Sequence, residues 1–293
     1  MCAKGQLQSL VSRRGLELQG LLFKAAGPSH KGTIVHVHGS FGNFYSNKFI
    51  SVMADVYSSS GYNLLSINTS AHDGIAEGYR FGEFEYIGGA LADFGECVAD
   101  IGGAVDFASR LGRRIILQGH SLGCDRILWF ALQENSSLEL ILLAPCDSYR
   151  LQTNWRFPET VEEQIQRLRS DDRLEEFPLL PWSEYGIRQG ADWIYSIPVS
   201  RRTLLSIMEG PAFRLLRLDE PFGFSLSGRC LAYIGGKDRL QTAPEAMFRH
   251  IGQRTADFTG LFIDSGDHML GDNEHEISAR IVEWLRKGEV EPK

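Results

Sequence analysis

The sequence predicts an α/β protein, with a mostly parallel sheet flanked by helices and a helical cap insertion late in the chain. Three observations predict it. Short β-branched or aliphatic runs (residues 33–38, 62–68, 115–117, 138–143, 229–234 and 258–263) alternate with stretches of helical periodicity. That alternation is the signature of βαβ units and a parallel sheet. Several of these runs end in glycine-bearing polar turns, where an open parallel sheet gathers its functional groups. Residues 148–227 break the rhythm with charge, proline and aromatic side chains, and the rhythm then returns.

Taken in order, residues 7–23 alternate and then turn apolar, which suits an antiparallel hairpin at a sheet edge. Residues 33–38 form a buried strand that ends in His38-Gly39-Ser40-Phe41-Gly42. A helix over 47–60 is closed by Gly61, and a strand follows over 62–68. Residues 69–89 read as a polar, glycine-bearing loop containing His72 and Asp73. Residues 90–111 place Leu91, Phe94, Val98, Ile101, Val105 and Phe107 toward one helical face. After the strand at 138–143 comes the interruption, with helices expected over 159–174 and from 203. An insertion of that length with its own helices is no simple loop. We read 1–147 and 228–293 as the core and 148–227 as a cap (lid) over the carboxyl edge of the sheet. The remainder supplies a strand over 229–234, a helix over 244–252, a strand over 258–263 and a closing helix over 274–286.

Composition narrows the function classes. The 293 residues are 43% hydrophobic and 23% charged, which is globular rather than disordered. A net charge of −7 offers nothing to nucleic acid or an anionic membrane surface. The five cysteines are odd in number and widely spaced, without metal-type pairs, so a reducing compartment is expected. No run approaches the ~18 apolar residues of a membrane span, and the first ten residues are too polar for a signal peptide. A cytoplasmic protein is the expectation.

The chemistry centres on Gly119-His120-Ser121-Leu122-Gly123. An apolar strand leads in and a helical run from Asp125 follows, so Ser121 stands at a strand–turn–helix apex. Glycines flank it because a Cβ there would collide with the neighbouring backbone. The helix N-terminus favours negative charge in front of the serine. The plainer alternative is an ordinary glycine-rich βα turn. A serine nucleophile also needs a base, and the base an orienting acid. Asp238 follows the strand at 229–234 and His268 follows the last strand, so both fall at carboxyl strand ends.

His38-Gly39-x-x-Gly42, the Gly119–Gly123 elbow, Gly235-Gly236-x-Asp238 and Gly266-Asp267-His268, in that order, resemble the α/β-hydrolase superfamily over about residues 15–287. The opening from His38 through Gly42-Asn43-Phe44-Tyr45 resembles a branch that includes siderophore-esterase-like proteins. The resemblance implies an α/β-hydrolase fold and a serine esterase with Ser121 as nucleophile, His268 as base then acid, and Asp238 as its orienting partner. The backbone N–H groups of Ser40 and Leu122 would form the oxyanion hole, with Phe41 as fallback for Ser40. Asp147 is the rival acid. Phe41, His72 and His120 are substrate-pocket candidates; for His72 the plainer role is a bracing hydrogen bond to Asp73. The pair His36 and His38 lacks a third ligand, so no metal is expected, and no cofactor either. The expected partner is a small-molecule ester or acyl compound. Thioesterase, acyltransferase, amidase and peptidase activities share the same triad, and a receptor that kept the fold is the non-enzymatic alternative. A dehalogenase would need a carboxylate at position 121. Oligomeric state is left open.

Overall fold

The computed structural model describes residues 3–27, 30–153, 160–170, 188–189, 193–194, 200–219, 223–241 and 243–289. An eight-stranded sheet forms the centre, in the order β1-β2-β4-β3-β7-β8-β11-β12. Strands β1 (Gly5–Val11) and β2 (Glu17–Phe23) are the expected edge hairpin, and β2 pairs antiparallel to β4 (Tyr62–Ile67). From β4 through β3 (Gly32–Val37), β7 (Ile115–His120), β8 (Glu139–Leu143) and β11 (Leu226–Gly235) to β12 (Thr255–Ile263), every pairing is parallel. Strands β3, β4 and β7 are buried along their whole length. That is why they read as continuous apolar runs rather than as alternating ones.

Helices cover both faces. On one, α1 (Phe49–Ser59) and the closing α8 (Glu274–Lys287) bury Phe49, Met53, Tyr57, Ile277, Ile281 and Leu285 against the sheet. On the other, α2 (Cys97–Ser109), α3 (Leu122–Gln133) and α7 (Pro244–Gly252) bury Ile101, Ile127, Leu128, Met247 and Ile251. The parallel strands therefore run between two apolar layers, and their carboxyl ends emerge along one edge.

Two stretches differ from expectation. Residues 69–89 contain a hairpin, β5 (Ala76–Arg80) and β6 (Glu83–Ile87), turning through Phe81 and Gly82 with positive φ. Its aromatic side chains are largely solvent-exposed, so it lacks the half-buried alternation that marks a strand. Helix α2 starts at Cys97 rather than at residue 90, after a 3-10 turn whose first amides are capped by the Asp93 carboxylate, 2.8 Å from the Gly95 N–H.

Within residues 148–227, the described helices are α4 (Ser148–Thr153), α5 (Val161–Ser170) and α6 (Arg201–Glu209), besides a two-residue pairing of β9 (Arg188–Gln189) with β10 (Trp193–Ile194). Helix α6 docks on the core: Ser200 N–H donates to Ala90 O at 2.7 Å, and Thr203 Oγ1 donates to Ala90 O and Ala92 O at 3.0 Å. Trp155, Phe157, Phe177, Trp182, Tyr185 and Tyr195 lie outside the described residues, as does the end of the helix expected over 159–174.

Candidate active site

Six parallel strands end along the carboxyl edge. Ser121 stands between the end of β7 and the first turn of α3, with φ 53° and ψ −124°. A non-glycine residue adopts that conformation only where its surroundings enforce it. Here the Ser121 N–H donates to Leu143 O at 2.9 Å, tying the apex to the end of β8. The flanking glycines permit the close approach: a Cβ on Gly119 would lie 2.3 Å from Gly123 O, and one on Gly123 2.3 Å from Val37 O.

Asp238 and His268 come together. His268 Nδ1 donates to Asp238 Oδ2 at 2.9 Å, and Leu240 N–H donates to the other carboxylate oxygen at 2.9 Å. Asp238 is buried, whereas the His268 side chain keeps 17% exposure. The hydrogen bond places the proton on Nδ1 and leaves Nε2 as the imidazole's acceptor. No hydrogen bond joins Ser121 Oγ to His268 among the described residues; such contacts are often open without substrate. Asp147 does not meet His268. Its two oxygens accept from Arg150 N–H at 2.8 Å and Leu218 N–H at 3.0 Å, bracing the start of residues 148–227.

The turn after β3 lies against the apex, since a Cβ on Gly39 would sit 3.1 Å from Ser121 Cβ. Among the described residues, neither Ser40 N–H nor Leu122 N–H donates to a backbone carbonyl. For Leu122 this follows from its place in the first helical turn. His38 is fully buried beneath the turn: its Nδ1 donates to Gly39 O at 2.8 Å, and its Nε2 accepts from Thr69 N–H at 3.2 Å. Burial and then the nearby Arg126 push its pKa well below the usual imidazole range, so it is neutral.

The pocket candidates divide. Phe41, with φ 50°, lines a narrow cavity together with Ser40, Leu122, Ala71 and Phe94. His72 Nδ1 donates to Asp73 Oδ2 at 2.7 Å, and Asn43 Nδ2 donates to Asp73 Oδ1 at 2.8 Å, so this group braces the loop behind the turn. His120 is buried against Phe49, and its Nε2 donates to His268 O at 2.8 Å. Desolvation, then the neighbouring His268, lowers its pKa to about 3. His120 thus holds the backbone of the His268 loop as a neutral ring. His36 is sealed in the core against Gln118, and no group of three His, Cys, Asp or Glu side chains placed to hold a metal occurs among the described residues.

Sequence reasoning passed over Arg126. It lies on α3 one turn after Leu122, is 3% exposed, and its Nη1 donates to His38 O at 3.0 Å and Gly39 O at 3.2 Å. The available signal was a charged residue entering the otherwise apolar run Ile127-Leu128-Trp129-Phe130.

No protein-family model matches the chain, and no curated protein matches it. Solved structures do. Est1E from Butyrivibrio proteoclasticus, with ferulic acid bound, is 14% identical over 95% of this chain and 98% of its own, with a TM-score of 0.65. The α/β-hydrolase GrgF from Penicillium sp. sh18 is 16% identical over 97% and 98%, with a TM-score of 0.67. The α/β-hydrolase domain-containing protein 10 from mouse is 17% identical over 97% and 100%, with a TM-score of 0.60. The chain has the α/β-hydrolase fold. At these identities the likeness concerns the path of the backbone, and it does not bear on the branch that residues 38–45 resemble. No helix among the described residues is long and apolar enough to cross a membrane.

Proposed function

We propose that the chain is a serine hydrolase that cleaves a carboxylic ester of a small molecule through an acyl-enzyme. One observation carries the reading: Asp238 holds His268 through Nδ1, which leaves Nε2 able to accept a proton at the same carboxyl edge of the sheet that carries the strained Ser121. Ser121 Oγ attacks the ester carbonyl as His268 Nε2 takes its proton. The oxyanion is met by the N–H groups of Leu122 and Ser40, and the first-turn dipole of α3 adds to them. The tetrahedral intermediate collapses, His268 protonates the departing alkoxide, and an acyl-Ser121 ester and an alcohol result. Water, deprotonated by His268, then attacks the acyl-enzyme and releases the acid. Asp238 stabilises the imidazolium in both halves.

Residues 148–227 serve as a cap in this reading. Helix α6 bonds to residues 90–92 beside the cavity, where it restricts access of water to the acyl-enzyme. The proteins of similar fold include esterases, and one of them holds ferulic acid, a small aromatic acid. The test is turnover of short-chain p-nitrophenyl esters by the wild type and Ser121→Ala. The variant is expected to lose roughly a thousandfold or more in kcat. Undiminished turnover by Ser121→Ala would remove the mechanism.

A further inference from the structure

The cavity beside Ser121 contains a buried cation without a counter-charge in contact. Its lining mixes apolar side chains, among them Phe94, Ile207 and Phe213, with the polar Ser70, Thr203 and Asp93, and it includes Ser40 and Leu122 next to the Ser121 apex. Arg126 is the cation lining it. The guanidinium uses Nη1 on the carbonyls of His38 and Gly39, which are neutral, and lies 5.8 Å from the Phe94 ring centre. Among the described residues no ion pair reaches Arg126, and Nε and Nη2 make no hydrogen bond.

Two carboxyls feel its field without touching it. Asp100 Oδ2 accepts from Ser70 N–H and Ser70 Oγ at 2.7 Å, and Asp125 Oδ2 accepts from Ser148 Oγ at 2.9 Å. Burial raises the pKa of both: Asp125, well above the carboxylate range, is neutral near neutrality, whereas Asp100, at about 6, is largely ionised and offsets part of the Arg126 charge from a distance without occupying its free edge. A guanidinium out of water strongly favours a partner, and its planar fork matches a carboxylate edge. The apolar side chains in the lining strengthen that match. The two carbonyls gripping Nη1 fix the plane of the fork, so the free edge is presented in one orientation.

We propose that Arg126 sets the specificity of this cavity, and that the substrate is an ester whose short acyl chain ends in a carboxylate docked on Nε and Nη2. The inference rests on Ser121 being the nucleophile: with the ester carbonyl between the Ser40 and Leu122 amides, the acyl chain enters the cavity that Arg126 lines. The alcohol then points away from the cavity.

Three substrates of one length separate charge from size: monoethyl glutarate, its neutral ethyl methyl diester, and ethyl pentanoate, followed by titration of released acid. The wild type is expected to favour monoethyl glutarate by at least tenfold in kcat/KM over either neutral ester. In Arg126→Gln that ratio is expected to fall at least tenfold, whatever becomes of the absolute rates. A variant that slowed all three alike, with the ratio kept, would make Arg126 only a strut under the turn and overturn the proposal. If Arg126→Gln does not fold, the wild-type ratio decides alone: equal or reversed preference overturns it. Failure to hydrolyse monoethyl glutarate, with a fluorophosphonate probe still labelling Ser121, would sink the acyl-carboxylate inference and leave the nucleophile standing. An unlabelled, inactive wild type would sink both.

Discussion

Ser121 carries a backbone conformation that its side chain does not favour, and the cost is separable from the chemistry. Non-glycine residues forced to φ near 53° store about 1–3 kcal/mol of strain. Ser121→Gly and Ser121→Ala both delete the hydroxyl, but only glycine relaxes the strain. Ser121→Gly is therefore expected to be more stable than Ser121→Ala by about 1 kcal/mol in urea unfolding, with both inactive. Asp238 and Asp147 make a second contrast. Both are buried carboxyls at strand ends, but only Asp238 touches His268. Asp238→Asn is expected to lower kcat by about 10⁴-fold, because the amide disturbs the Nδ1–H tautomer. Asp147→Asn leaves the His268 contact intact and is expected to lower kcat less than tenfold. Steady-state rates on one ester, with a far-ultraviolet spectrum as folding control, decide between the two carboxyls.

At the scale of elements, the elbow works because α3 crosses β3 and β7 at backbone contact. A methyl on Gly123 would meet Val37 O and His38 O, and a methyl on Gly119 would meet the Gly123 carbonyl. Neither obstacle is a side chain that can turn away. Gly123→Ala and Gly119→Ala are each expected to cost about 2–4 kcal/mol or to prevent folding. Gly42→Ala, which meets the His38 side chain at 3.2 Å, is expected to stay within about 1 kcal/mol of the wild type. Urea midpoints of the three variants check the order. These elements were legible because apolar runs, elbow glycines and terminal turns are local signals. The central strands fall where residues 33–38, 115–117 and 138–143 place them, because burial on both faces leaves an unbroken apolar run. The outer strands extend further than read: β12 begins at Thr255, where backbone pairing to Leu226, not an apolar side chain, starts the ladder. The β5–β6 hairpin was illegible because exposed Tyr79, Phe81, Phe84 and Tyr86 give no buried face. Arg126 was illegible as a site residue because its acceptors, His38 O and Gly39 O, arrive from β3, 87 and 88 residues away in the chain.

Four imidazoles among the described residues have their pKa lowered chiefly by burial: His36 and His120, to about 3, and His38 and His250. An imidazole depressed in the folded state is neutral there but takes a proton in the unfolded chain below about pH 6.5, so its stabilising effect is lost as pH falls. Asp125, Asp100 and Asp147, raised by burial, act in the opposite sense and favour the folded state as pH falls. The four imidazoles that take protons in the unfolded chain outweigh the three carboxyls that hold them in the folded one. Stability is therefore expected to decline from pH 7 to pH 5, by about 1 kcal/mol per pH unit at its steepest; a level or rising unfolding free energy would remove that account. If one edge of this sheet makes Ser121 a nucleophile, a fluorophosphonate added to the folded protein leaves one phosphonate per chain, mapped by peptide mass spectrometry to the peptide carrying Ser121 and absent from Ser121→Ala. An unmodified Ser121 in folded protein would remove Ser121 as the nucleophile.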